Sequence, residues 1–281
     1  MRKYRGADLI ALTFTPVDDL GVAIAVTEPA TATVYDGAGT QVDTGDAAVT
    51  GGVLSYALVG AKASALDTYK VMWECVVGAD TRQFDDVFEL VGASIVTVAD
   101  IRGYDRAFED VTKYPDAYVS GCRDQIEEQV EQNGMCAFRP RGAREKVSGS
   151  GQRKLVLRNT DIRGIYSITV DGVALTADEL AALAFDGNAI YRELPWPRGF
   201  ANIAVHYSYG FDRAPGPIRR AALILAKEHI VPSTTLPARA TASTIGEMQY
   251  RITIAGRDGF TGIPDVDAAI NQFGRVRPVV G

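Results

Sequence analysis

The chain has 281 residues, 47% of them apolar and 23% charged, a composition that is ordinary for globular protein and excludes a largely disordered chain. That length leaves room for two domains, each able to bury a core. No apolar run reaches the roughly eighteen residues that a membrane helix needs. The opening residues show no apolar core of a secretory signal. Three cysteines and two histidines leave little material for a disulfide scaffold, a zinc site or a nucleophile–base pair.

The net charge of −6 is unevenly spread. Residues 1–94 hold 6 Lys/Arg against 13 Asp/Glu, and residues 95–281 hold 23 against 22. Such a step points to separate modules, joined near Val91-Gly-Ala-Ser-Ile-Val96. The first module reads as strands: Asp8–Thr15, Val22–Thr27, Thr31–Tyr35, Val53–Leu58, Tyr69–Val77 and Phe84–Val91. Turn signals at Asp36-Gly-Ala-Gly39, Thr44-Gly-Asp46, Thr50-Gly-Gly52 and Gly78-Ala-Asp80 separate them. Alternation in Tyr69–Val77 puts Tyr69, Val71, Trp73, Cys75 and Val77 on one face of a central strand, with Asp80–Leu90 as its hairpin partner. The expected fold for 1–94 is an antiparallel, immunoglobulin-like β-sandwich that folds alone around Trp73.

The second module is mixed. Thr97-Val-Ala-Asp100 has the form of a capping box and opens a short helix. Tyr114-Pro-Asp116 opens a longer one, with Pro115 in the first turn and Asp116 at the positive dipole end. There Val119, Cys122, Ile126 and Val130 form an apolar stripe while Asp124, Glu127, Glu128 and Glu131 face outward, and Gly134 is the stop. Strands follow at Leu155–Leu157 and Gly164–Val170, then the hairpin turn Asp171-Gly172. Thr176-Ala-Asp-Glu179 is a second capping box. Ala189–Tyr191 and Ala201–Tyr209 read as strands, Pro217–Val231 as a buried helix, Tyr250–Ile254 as a strand and Pro264–Phe273 as a last helix. The whole is an α+β multidomain chain, a sandwich followed by a helical domain over 95–281 with a β insertion at about 139–210.

No phosphate-binding loop, dinucleotide fingerprint or nucleophile elbow is present. Ser148-Gly-Ser-Gly151 lies between polar, basic segments and reads as a surface hairpin. His206 reads as a structural or surface histidine in a strand, and His229 as a helix-end residue. No catalytic residue, cofactor or metal ligand is expected. One cluster stands apart: Arg139, Arg141, Arg144, Lys146, Arg153, Lys154, Arg158 and Arg163 fall in 25 residues with only Glu145 and Asp161 as acids. A solvated hairpin, a non-specific contact with DNA phosphates and a dock for an acidic partner are all compatible with it.

The order of short motifs in the second module resembles a known family. It runs Thr97-Val-Ala-Asp-Ile-Arg102, Lys113-Tyr-Pro-Asp-Ala117, Gly134-Met-Cys-Ala-Phe-Arg-Pro-Arg141, a Gly-Ser-Gly hairpin, Ile168-Thr-Val-Asp-Gly172, Tyr207-Ser-Tyr-Gly-Phe-Asp212 and Pro217-Ile-Arg-Arg-Ala-Ala-Leu223. This is similar to the head-to-tail adaptor (connector, head completion) proteins of long-tailed bacteriophages, over roughly residues 95–281. The resemblance implies a non-enzymatic virion protein, assembled in the host cytoplasm as a ring, commonly of twelve copies. The ring joins the portal protein to a stopper or tail-completion protein around the DNA channel. Arg139, Arg141, Arg144, Lys146, Arg153 and Lys154 are then candidates for assembly or channel contact. Arg275, Val276, Arg277 and Pro278 form a tail that docks on the portal. Residues 1–94 have no counterpart in minimal members and look like a decoration. Two other readings stay open, a tail or baseplate protein whose sandwich binds glycan, and a glycoside hydrolase with an accessory sandwich.

Overall fold

The computed structural model describes residues 2–5, 9–231, 242–245, 248–251 and 261–274. The first eight strands are β1 (Arg2–Arg5), β2 (Leu9–Phe14), β3 (Thr27–Tyr35), β4 (Gln41–Asp46), β5 (Ala48–Thr50), β6 (Val53–Val59), β7 (Thr68–Val77) and β8 (Asp80–Val91). Helices α1 (Val98–Tyr104) and α2 (Asp116–Gly134) follow. Next come β9 (Arg141–Gly149), β10 (Lys154–Val156), β11 (Ile162–Val170), β12 (Val173–Ala174), α3 (Ala177–Ala181), β13 (Ala184–Asp186), β14 (Ala189–Tyr191) and β15 (Gly199–Tyr209). The chain continues through α4 (Gly216–Ile230), the β16 (Ala242–Ile245) and β17 (Met248–Arg251) pair, and α5 (Pro264–Phe273). It is a mixed α+β protein with several sheets. Among the described residues no helix is long and apolar enough to cross a membrane.

The chain divides into two compact units, residues 1–92 with 140–210, and residues 93–139 with 211–281. The inserted β region therefore belongs with the N-terminal strands, not with the helices that flank it in sequence. In the first unit β1-β8-β7-β3-β4 form one sheet and β2-β6-β5 another. Their inner faces share a core of Ile10, Leu12, Val34, Leu54, Leu58, Val71, Trp73, Cys75 and Phe88, with the Phe14 ring stacked on Trp73. This packing is sandwich-like, but not purely antiparallel: β1 runs parallel to β8, pairing Tyr4 with Leu90.

Two expected local features differ. Residues 22–26 form no strand, and Thr27 already opens β3. Asp18 accepts hydrogen bonds from the Leu20 and Val22 amides in a tight loop, and the pairing beyond it is a single antiparallel bridge of Val17 with Ala23. Thr44 and Asp46, read as turn residues, lie inside β4.

The inserted region builds two further sheets, β12-β11-β15-β9 and β10-β14-β13. They enclose a separate core of Leu155, Ile168, Ile190, Trp196, Ile203, Val205 and Tyr207. Asp171 and Gly172 both take positive φ, which is what a two-residue hairpin turn between right-twisted strands requires.

In the second unit α1, α2, α4 and α5 pack around Ile101, Phe108, Val119, Ile126, Val130, Phe138, Ile218, Leu225, Val266 and Ile270. Thr97 and Asp100 cap α1 reciprocally, as Thr176 and Glu179 cap α3. Hydrogen bonding to the Thr97 amide holds the Asp100 carboxyl below its ordinary range. Pro115 precedes α2 as its cap and does not occupy the first turn. The segments that leave and re-enter this unit meet where the Phe211 amide donates to the Ala137 carbonyl at 3.3 Å.

Candidate functional site

The basic stretch is the site that the sequence singles out, and its members part company in the structure. Arg139 is 1% exposed. Its guanidinium pairs with Glu127 and, at 3.2 Å, with Glu131. Both glutamates project from α2 and are buried, so the expectation that they face outward is corrected. The reason is long-range: Arg139 lies twelve and eight positions beyond them and folds back over the helix. Glu127 also accepts the Ile95 amide at 2.7 Å. A buried carboxylate with a cation and an amide on it replaces the water it lost.

Arg141 and Arg144 lie on β9 in the other unit and reach the N-terminal strands. Arg141 forks onto Glu89 of β8, with Nε at 2.6 Å from one oxygen and Nη2 at 2.7 Å from the other. Arg144 sets Nε 2.7 Å from Asp67 and Nη2 3.0 Å from Asp36. Glu89 and Asp67 are buried. At the same seam Gly142 passes so close that a Cβ there would sit 1.7 Å from the Leu66 carbonyl oxygen, so the position admits only glycine. The Leu66 amide donates to the Tyr166 hydroxyl at 3.2 Å.

His206 belongs to this seam. It pairs with Arg144 across β9 and with Ser167 across β11. Its Nε2 lies 3.2 Å from the Leu66 carbonyl and 3.6 Å from Asp67. A carbonyl only accepts, so this nitrogen carries the hydrogen. Burial holds the imidazole below the usual histidine range, and Arg144 adds to this, against the opposing pull of Asp67. A cleft of about 490 Å³ opens beside it, lined by Gly37, Arg144, Lys146, Ser167, Thr169 and His206. What these groups do together is fix two sheets to each other.

Lys146, Arg153 and Lys154 are exposed. The Lys154 ammonium lies 5.8 Å from the Tyr191 ring centre. Thus the structure brings Arg141, Arg144 and Lys146 together on β9, sets Arg153 and Lys154 at the start of the second inserted sheet, and puts Arg139 in the helical core. Arg275, Val276, Arg277 and Pro278 lie outside the described residues. Sequence reasoning missed Glu89, Asp67 and Asp36. One signal was present, since Glu89 interrupts the apolar run Phe88-Glu-Leu-Val91 and a charge inside such a run calls for a partner. Among the described residues no group of three or more His, Cys, Asp or Glu is placed to hold a metal ion.

No family model matches the chain, and no curated protein matches it. A solved structure, CopC from Methylosinus trichosporium OB3b, is similar over 32% of this chain and 81% of its own, at 16% identity and a TM-score of 0.23. At that score the likeness carries no argument about fold or function.

Proposed function

We propose that the chain is a non-enzymatic structural protein of a long-tailed bacteriophage virion, an adaptor that forms a ring between the portal and the tail-side connector components. What carries the reading is the ordered resemblance of the second module, together with where its motifs fall. The Arg102 guanidinium of the first motif holds Asp116 of the second at 2.6 Å and the Tyr114 carbonyl at 2.7 Å. The Gly134–Arg141 motif ends α2 and supplies Arg139 to Glu127. Pro217 opens α4. Arg102, Tyr114, Asp116, Gly134, Arg139 and Pro217 thus lie in one helical unit, while the motifs of the inserted region, Ile168-Thr-Val-Asp-Gly172 among them, lie in the other.

In this reading the N-terminal strands are an immunoglobulin-like decoration, and the inserted sheets, which hold the decoration through Arg141 and Arg144, carry it. Exposed Lys146, Arg153 and Lys154 face a neighbour or the packaged DNA, with affinity for DNA that falls steeply with salt and ignores sequence. The protein works at the head–tail interface of the virion after assembly in the host cytoplasm. The test is to mix the purified full chain with portal rings of the same phage and image the product. Rings of this protein on one end of the portal are expected. A chain that never joins the portal, or that turns over a glycoside, would overturn the reading.

A further inference from the structure

The inserted sheet ends in a loop that holds an aromatic ring in water. Phe200 is 95% exposed. Its backbone is tightly held all the same. β15 loses register against β9 between Gly199 and Ile203, and Ala201 takes a left-handed φ of 47°. The Ala201 amide donates to Ser148 Oγ at 3.0 Å. The Asn202 side chain accepts the Gly149 amide at 2.9 Å and donates to Asp171 at 3.2 Å. A non-glycine residue in that conformation is strained, and the hydrogen bonds on Ala201 and Asn202 hold the backbone there. Single exposed apolar side chains are common on protein surfaces, and Phe200 differs in being almost wholly in solvent while its backbone is held by these hydrogen bonds.

The same inserted region carries a recess that fits such a ring. It measures about 180 Å³ and is lined by Leu175, Ala182, Leu183 and Leu194, with Arg192 and Glu193 at its polar side. A benzene-sized group fits an apolar cavity of about 150 Å³. Phe200 does not fill the recess of its own chain, being almost wholly in solvent. The charges match as well. Arg198, two positions before Phe200, is exposed, and so is Glu193.

We propose that Phe200 of one copy enters the Leu175–Leu183–Leu194 recess of a second copy of this chain, with Arg198 of the first meeting Glu193 of the second. A knob and a separate recess allow a head-to-tail contact, the kind that closes into a ring when the rotation between copies permits, whereas a two-fold dimer with two reciprocal insertions would stop at two copies. The inference deepens the ring reading and rests on it for the presence of neighbouring copies.

The experiment measures self-association of the full chain by sedimentation, alone and with the portal, for the wild type and for Phe200→Asp, Arg198→Glu, Glu193→Arg and the Arg198→Glu/Glu193→Arg double variant. All of these positions are exposed, and unchanged thermal unfolding confirms that each variant folds. Phe200→Asp should weaken association between copies by at least about tenfold, as loss of a central aromatic anchor does. Each charge reversal should weaken it, and the double variant should regain most of the loss. Rings that form on the portal equally well with Phe200→Asp would overturn this contact and leave the ring reading standing. A wild type that stays monomeric both alone and with the portal would overturn both. A double variant weaker than either single reversal would exclude the Arg198–Glu193 pairing.

Discussion

Arg139 sits in the most basic stretch of the chain and is among its least exposed side chains. Removing it would leave Glu127 and Glu131 as buried carboxylates without their cation. Arg139→Ala should therefore cost about 3–5 kcal/mol, the usual penalty for breaking a buried pair from one side. Denaturant unfolding of the full chain reads this, and a loss under about 1 kcal/mol, the size of an exposed pair, would show that water reaches the site. His206 supplies a pH dependence. Its folded-state pKa is depressed, chiefly by burial. The unfolded chain therefore binds a proton near pH 6.5 that the folded chain does not, and stability falls as pH drops below about 6.5. Asp67, Asp36, Arg144 and Tyr166 surround the ring. Carboxylates with depressed pKa values, Asp43 and Asp100, act in a separate window, losing their contribution only below about pH 4. The urea midpoint should decline from pH 7 to pH 5 in the wild type and decline less in His206→Gln. Equal slopes would remove the histidine from the seam.

At the scale of elements, α2 shows what pattern alone reveals and what it does not. Its start, its length and the buried Val119, Ile126 and Val130 follow from the Pro115-Asp116 signal and the helical period. Its end does not. Gly134, the expected stop, is the last helical residue, and the left-handed residue that follows it is Met135, with φ 51°. Gly134 is needed for another reason, since a Cβ there would lie 2.7 Å from the Phe138 ring. Gly134→Ala should destabilise by about 1–3 kcal/mol through overpacking. Met135→Gly relieves the left-handed strain at an exposed position and should be neutral or stabilising by up to about 1 kcal/mol. Thermal unfolding of the two variants separates them, and the reverse order would mean that the glycine is the cap after all. The β elements divide in the same way. Alternation located β7 and its buried Tyr69, Val71, Trp73 and Cys75, a pattern local to one strand. Neither the parallel pairing of β1 nor the strand character of β9 was legible, because both depend on partners far along the chain.

At the scale of the whole molecule, the charge step near residue 94 marks a real change in pattern, yet the unit that holds the N-terminal strands also takes in residues 140–210. The two apolar cores inside that unit are separate. Between them lie polar and charged groups whose sequence separation, 52 positions for Arg141 and Glu89 and 77 for Arg144 and Asp67, put their pairing beyond any local reading. A basic cluster looks like a surface for an outside partner until the acids that face it are known. Here Arg141 and Arg144 bind the sandwich to the inserted sheet. The direct measurement is a double-mutant cycle on Arg141→Ala and Glu89→Ala in the full chain, read from the denaturant unfolding of this unit. A bidentate pair with one partner buried should give a coupling of about 1.5–3 kcal/mol. A coupling below about 0.5 kcal/mol, typical of an exposed surface pair, would mean that the basic stretch does not hold the two sheets together.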